Sequence, residues 1–312
     1  MSYSNENNIK LLKENIEKRI VGKGELIGRM IIALLSEGHV LIEDVPGVGK
    51  TTLAKALSDS LSLSFSRIQC TPDTMPSDIT GVSVFNSKSG EFEVVPGPVM
   101  NNIVLADELN RTSPKTQSAL LEAMEEHSVT IDGKNLALPD PFMVIGTQNP
   151  METAGTYPLP EAQLDRFMMR IKVGYPDRTD ALRMTESFLS GTLHETTMAV
   201  LEGADILKMQ TAVKEITVNE KLADYSVSIV EATRADTDIE CGASPRALLS
   251  LLRYAQARAL YEGRDYCIPE DILQSALVTL PHRLILTAQA RMNRMSQEKV
   301  LKRITDHIKV PS

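Results

Sequence analysis

The chain has 312 residues, enough for two packed domains with a sizeable core. Hydrophobic residues make up 42% and charged residues 24%, a globular balance that argues against global disorder. A net charge of -8, a pI near 5.3 and the absence of Trp argue against a broad nucleic-acid footprint, which needs clustered Lys and Arg or aromatic stacking platforms.

From the amino terminus, apolar periodicity predicts two helices, Ile9 to Ile20 and Glu25 to Ser36, followed by the apolar strand Val40 to Ile42. After a glycine loop come a helix from Lys50 to Leu61, a strand at Phe65 to Gln69 and an apolar strand at Ile103 to Ala106. Two hairpin signals interrupt this alternation: Val82 to Phe85 with Glu91 to Val95, and Val129 to Ile131 with Leu136 to Leu138 around an Asp-Gly turn. Phe142 to Gly146 and Met169 to Val173 supply the last strands, and Gly174 to Asp177 reads as a boundary. Alternating strands and helices predict a mostly parallel α/β sheet, with ligands beyond its carboxyl ends. Residues 176–312 read as a helical second domain behind an α/β domain at 1–175, clearest in Pro245 to Tyr261 with an expected apolar face of Leu248, Leu249, Leu252, Ala255 and Ala259. Cys70, Cys241 and Cys267 lack metal or disulfide spacing and are expected to be buried free thiols. No signal-like segment and no apolar run of ~18 residues occurs, so membrane spanning is disfavoured and the cytoplasm is the expected location.

Three strand ends carry the chemistry. The run Pro46-Gly47-Val48-Gly49-Lys50-Thr51-Thr52, between a strand and a helix, suits phosphate binding: glycines admit the anion, helix amides face it, Lys50 reaches it, and the Thr51 hydroxyl suits Mg²⁺. The strict P-loop pattern asks for glycine at position 44, where this chain has Asp44. The strand Ile103 to Ala106 delivers Asp107, expected to hold Mg²⁺ through its water shell, and Glu108, expected to activate water. Alone, such a pair is usually a solvated strand end. Thr147-Gln148-Asn149-Pro150 ends another strand and offers the Asn149 amide to the γ-phosphate, although Asn-Pro is also a common turn. Arg166 and Arg246 suit the charge of phosphoryl transfer, while each in isolation reads as half of a surface ion pair.

Together these residues resemble the MoxR family of AAA+ ATPases. The likeness spans roughly Ile20 to Arg283 and rests on Leu41 to Thr51, Ala106 to Arg111, Ala119 to Glu126, Thr147 to Pro150, Tyr157 to Phe167 and Ser244-Pro245-Arg246. Within that family Asp44 is a usual substitute for the first glycine. The resemblance implies a P-loop AAA+ core with five parallel strands in the order 5-1-4-3-2, two inserted β-hairpins facing a central pore, and an all-α lid. It also implies Asn149 as sensor 1, Arg166 as a finger reaching a neighbour's ATP, Arg246 as sensor 2, and an adenine contact at Ile20, Val21 and Gly22. Hexameric rings, Mg-ATP hydrolysis, chaperone-like remodelling and a von Willebrand factor A domain partner follow by the same likeness. A DNA-directed AAA+ motor, the ATPase subunit of a metal chelatase and a nucleotide-dependent scaffold remain as alternatives.

Overall fold

The computed structural model describes residues 2–45, 47–151, 155–191 and 198–311. Helices α1 (Ser2–Glu17) and α2 (Gly24–Leu35) lead into strand β1 (Val40–Glu43), α3 (Lys50–Ser60), β2 (Phe65–Gln69) and α4 (Pro76–Thr80). The hairpin β3 (Gly81–Asn86) and β4 (Glu91–Pro96) precedes β5 (Ile103–Asp107) and α5 (Pro114–Glu126). A second hairpin, β6 (Ser128–Ile131) and β7 (Lys134–Ala137), precedes β8 (Met143–Gln148), the single turn α6 (Glu161–Leu164) and β9 (Met169–Ile171). Then come α7 (Arg178–Leu189), α8 (Gly203–Glu215), α9 (Glu220–Ala235), β10 (Ile239–Cys241), α10 (Pro245–Tyr261), α11 (Pro269–Thr279), β11 (Ile285–Leu286), α12 (Ala288–Met292) and α13 (Gln297–His307).

Five strands form one parallel sheet in the order β2-β5-β8-β1-β9, the expected 5-1-4-3-2 when these strands alone are numbered. Strand period two separates its faces. Val40, Ile42, Ile103, Leu105, Met143 and Ile145 enter a core shared with α1 to α3 and the carboxyl-terminal helices, whereas Leu41, Val104, Ala106 and Val144 enter a second core under α5 and the hairpins. Burial on both faces explains why these strands read as unbroken apolar runs.

Several expectations need correction. The first helix spans Ser2–Glu17 rather than Ile9 to Ile20, because Ile9, Leu12 and Ile16 anchor a helix that extends through the polar residues before them. On α10, Leu249 is 68% exposed, and the buried stripe instead includes Ala247, Leu251, Tyr254, Ala255 and Ala259. That helix packs against α2, α8, α9 and α11, so its neighbours choose which of two adjacent stripes is covered. The helical part also holds a short antiparallel ribbon, β10 with β11, whose strands are too brief for periodicity to show. Cys70 and Cys267 are buried, but Cys241 on that ribbon is exposed.

His39, just before β1, joins the sheet to α5. Its Nδ1 accepts the Val144 amide at 3.0 Å, so its proton sits on Nε2, 3.2 Å from the Met124 carbonyl. Burial pushes this imidazole down to about 4. Below pH 6.5 the unfolded chain therefore binds a proton that the fold refuses until about pH 4, and stability falls as pH drops through that window. The expected slope from this group is about 1.4 kcal/mol per pH unit. Denaturation midpoints between pH 7 and 4.5 should show it, and His39→Gln should lessen it. An unchanged slope in that variant would clear His39 of the role.

Candidate functional site

The chain order makes β1 the switch point of the sheet: its helix α3 crosses to edge strand β2, while β8 and β9 flank β1. Open parallel sheets bind ligands at such points. Gly47 (φ +83°) and Gly49 (φ +90°) lie in the left-handed region, and nothing stands within 4 Å of where a Cβ would sit on either. The loop is thus an open concavity facing the amino terminus of α3, suited to an anion. Lys50 and Thr51 begin that helix, and the Lys50 ammonium folds back onto the Asp44 carbonyl at 2.7 Å. A cleft of about 400 Å³ brings Gly47, Gly49, Lys50, Thr51, Thr52, Asp107, Glu108 and Asn149 together. A second compartment, about 310 Å³, shares Gly47, Gly49 and Thr52 with it and has apolar walls of Ile20, Val21, Val48 and Met184. A polar space and an apolar one thus meet at the glycine loop, matching a nucleotide's phosphates and base. Gly22 does not line the second space; its Cα faces the Asp180 carboxylate, while neighbouring Lys23 does line it. Pro46 lies outside the described residues.

The two acids are held in place by Thr147 on β8. Its hydroxyl donates to Asp107 Oδ1 at 2.6 Å and accepts the Glu108 amide at 2.9 Å. Glu108 itself is left-handed (φ +59°), a conformation uncommon for a residue other than glycine, at the point where the chain leaves β5. Residues on edge strand β2 reach both acids. Arg67 pairs with Asp107 Oδ2 at 2.6 Å, Gln69 Nε2 donates to Glu108 Oε2 at 3.1 Å, and Arg111 meets the same oxygen at 3.0 Å. Asn149 is buried at the end of β8, its Oδ1 accepting the Met151 amide at 3.1 Å.

Arg166 and Arg246 are brought together, but not at this cleft. Both pair with Glu125 at the end of α5, Arg166 at 2.8 Å, and these guanidiniums hold the Glu125 carboxyl below the usual carboxylate range. They line a separate cavity of about 210 Å³. Asp165 fixes this arrangement: it accepts the Ser244 hydroxyl at 2.9 Å at the cap of α10, and lies 3.0 Å from Arg283 Nε in an ion pair without hydrogen-bond alignment. Buried Arg283 also donates to the Asp165 and Phe167 carbonyls.

The ATPase family associated with various cellular activities (AAA) matches residues 39–169, and the AAA lid domain matches residues 231–304. Chaperone MoxR1 of Mycobacterium tuberculosis is 41% identical over 305 residues, covering 95% of this chain and 80% of that protein. The chain belongs to the MoxR family of AAA+ ATPases. It is accordingly an ATP hydrolase. The uncharacterized protein YeaC of Bacillus subtilis is 49% identical over 298 residues, with 96% and 93% coverage. A Cytophaga hutchinsonii protein of known crystal structure superposes with a TM-score of 0.93 at 38% identity, covering 100% of this chain and 97% of its own.

Sequence reasoning gave no individual role to Thr147, Arg67, Gln69, Arg111 or Glu125, although each lies in a stretch it singled out. The available signal was limited: Arg67 and Gln69 are two apart on one strand and so share a face, but which acids that face meets depends on strand order. Thr147→Val keeps the shape of this MoxR-family site while leaving the Glu108 amide unpaired. The expected result is a loss of stability on the order of 1–3 kcal/mol in chemical denaturation and at least tenfold slower ATP turnover. Turnover within twofold of wild type would show that the hydroxyl does not position the acids.

Proposed function

We propose that the chain hydrolyses Mg-ATP as one subunit of a ring in which each cleft is completed by the neighbour's Arg166 and Arg246. The observation that carries this reading is their separation from the chain's own phosphate loop: both arginines sit on Glu125, lining another cavity. We take the ring to be a hexamer in the cytoplasm, with residues 1–175 as the nucleotide-binding domain and 176–312 as the lid. Pore-facing roles for the two hairpins belong to the same reading.

In this mechanism the glycine loop and α3 receive the phosphates, and Lys50 leaves the Asp44 carbonyl for the terminal phosphate. The hard oxygens of Thr51 and Asp107 suit Mg²⁺, which when bound neutralises phosphate charge. No group of three or more His, Cys, Asp or Glu among the described residues makes a metal site by itself, so the nucleotide would supply other ligands. Glu108, released from Gln69 and Arg111, takes a proton from water as the water oxygen attacks the γ-phosphorus; the bond to the bridging oxygen breaks, giving ADP and phosphate. Asn149 orients that water, and the neighbour's arginines stabilise charge on the transferring group.

A protein client agrees with the exposed apolar hairpin β3–β4, where Phe85 and Phe92 are 54% and 63% exposed with rings 5.3 Å apart. The chaperone name of the mycobacterial relative supports remodelling, and a von Willebrand factor A domain protein is the proposed partner. Lys50→Ala and Arg166→Ala should each lower turnover at least 100-fold. Mixing the two should restore part of it, since a subunit with an intact loop then meets one with an intact arginine. Failure of folded, co-assembled variants to complement would sink the trans arrangement.

A further inference from the structure

Asp44 stands where the strict phosphate-loop pattern has glycine, and the structure shows what a side chain gains there. Its two carboxylate oxygens serve different segments. Oδ1 accepts the Val45 amide at 2.8 Å, inside the loop, whereas Oδ2 accepts the Gly174 amide at 2.6 Å, 130 residues away. Its main chain is tied on both sides as well: the amide donates to the Gln148 carbonyl at 3.1 Å, and the carbonyl accepts the Lys50 ammonium at 2.7 Å. Gly174 lies in the turn between β9 and α7, adopts φ +67°, and lines the apolar compartment. One residue therefore joins the lysine of the phosphate compartment, the strand that carries Asn149, and the wall of the base compartment.

We infer that Asp44 is a positioning residue that binds the Gly174 turn to the phosphate loop, so that the base and phosphate halves of the nucleotide are gripped as a unit. This rests on the clefts being the ATP site. Charge-assisted bonds to two amides hold the turn against the loop. When a phosphate draws Lys50 off the Asp44 carbonyl, the residue connected to that turn loses one of its own contacts, which links phosphate occupancy to the position of the base wall.

Charge alone predicts the opposite outcome on mutation. A carboxylate beside a polyphosphate site repels the ligand, so removing it should tighten binding of any polyphosphate. Loss of positioning should instead weaken ATP while sparing a ligand without a base. Asp44→Gly places at this position the residue the strict motif uses, which suits the loop backbone; Asp44→Asn keeps the shape but turns an NH₂ group toward one of the two amide donors. Calorimetric titration with ATP and with inorganic tripolyphosphate, and hydrogen exchange at Gly174, distinguish the cases.

The expected result is about tenfold weaker ATP binding in Asp44→Gly, a smaller loss in Asp44→Asn, tripolyphosphate binding equal to wild type or tighter, and faster exchange at Gly174 in both. Unchanged or tighter ATP binding in both variants would overturn the inference, as would unchanged exchange at Gly174 or an equal loss of tripolyphosphate binding. Failure of the wild-type protein to bind ATP would instead overturn the reading of the clefts. Asp44→Asn, close to isosteric, keeps the comparison meaningful if the glycine variant folds poorly.

Discussion

The parallel register of β5, β8 and β1 is the constraint on which the rest of the site depends. Gly146 pairs with both Ala106 and Leu41, and Gln148 pairs with Glu43, so three buried strands end side by side. The first delivers the two acids, the second Thr147 and Asn149, the third the glycine loop. A rigid sheet sets these groups at spacings that loops alone would not keep, around the cleft beyond the strand ends where open parallel sheets place ligands. The Thr147 hydroxyl reads out that register directly, since it bonds both acids only when β5 and β8 are aligned.

The resting contacts inside the cleft are mutually consistent. Lys50 is held by a main-chain carbonyl, Asp107 by Arg67, and Glu108 by Gln69 and Arg111. Each charged group therefore has a partner before a nucleotide arrives, which avoids leaving partly buried charges uncompensated. A triphosphate bound as proposed would compete with these partners, which would link loading to rearrangement through the same side chains.

A second centre lies across the molecule, where Asp165, Ser244 and Arg283 fasten the segment before β9 to α10 and the turn before β11. That fastening brings Arg166 and Arg246, 80 residues apart in the chain, onto the one carboxylate of Glu125. Packing of the helical part against the sheet thus does more than cover apolar surface: it assembles a cationic pair from two distant segments. The ordinary reading of each arginine, an ion pair with an acid, is what the structure shows, with one carboxylate serving both.

Local patterns were enough to announce the strands, the glycine loop, the acids after β5 and Asn149 after β8, because apolar runs, turn residues and phosphate-binding spacing are encoded by neighbours in the chain. The AAA+ family was legible for the same reason. Periodicity could not choose between adjacent stripes on α10, where Leu249 proved exposed, nor reveal strands as short as β10 and β11. Only the tertiary structure decided that Asp44 bonds Gly174, that Arg67 and Gln69 face the acids, and that both arginines leave their own cleft for Glu125. These contacts join residues 39 or more positions apart, and their partners are chosen by strand order and helix packing, which no local spacing records.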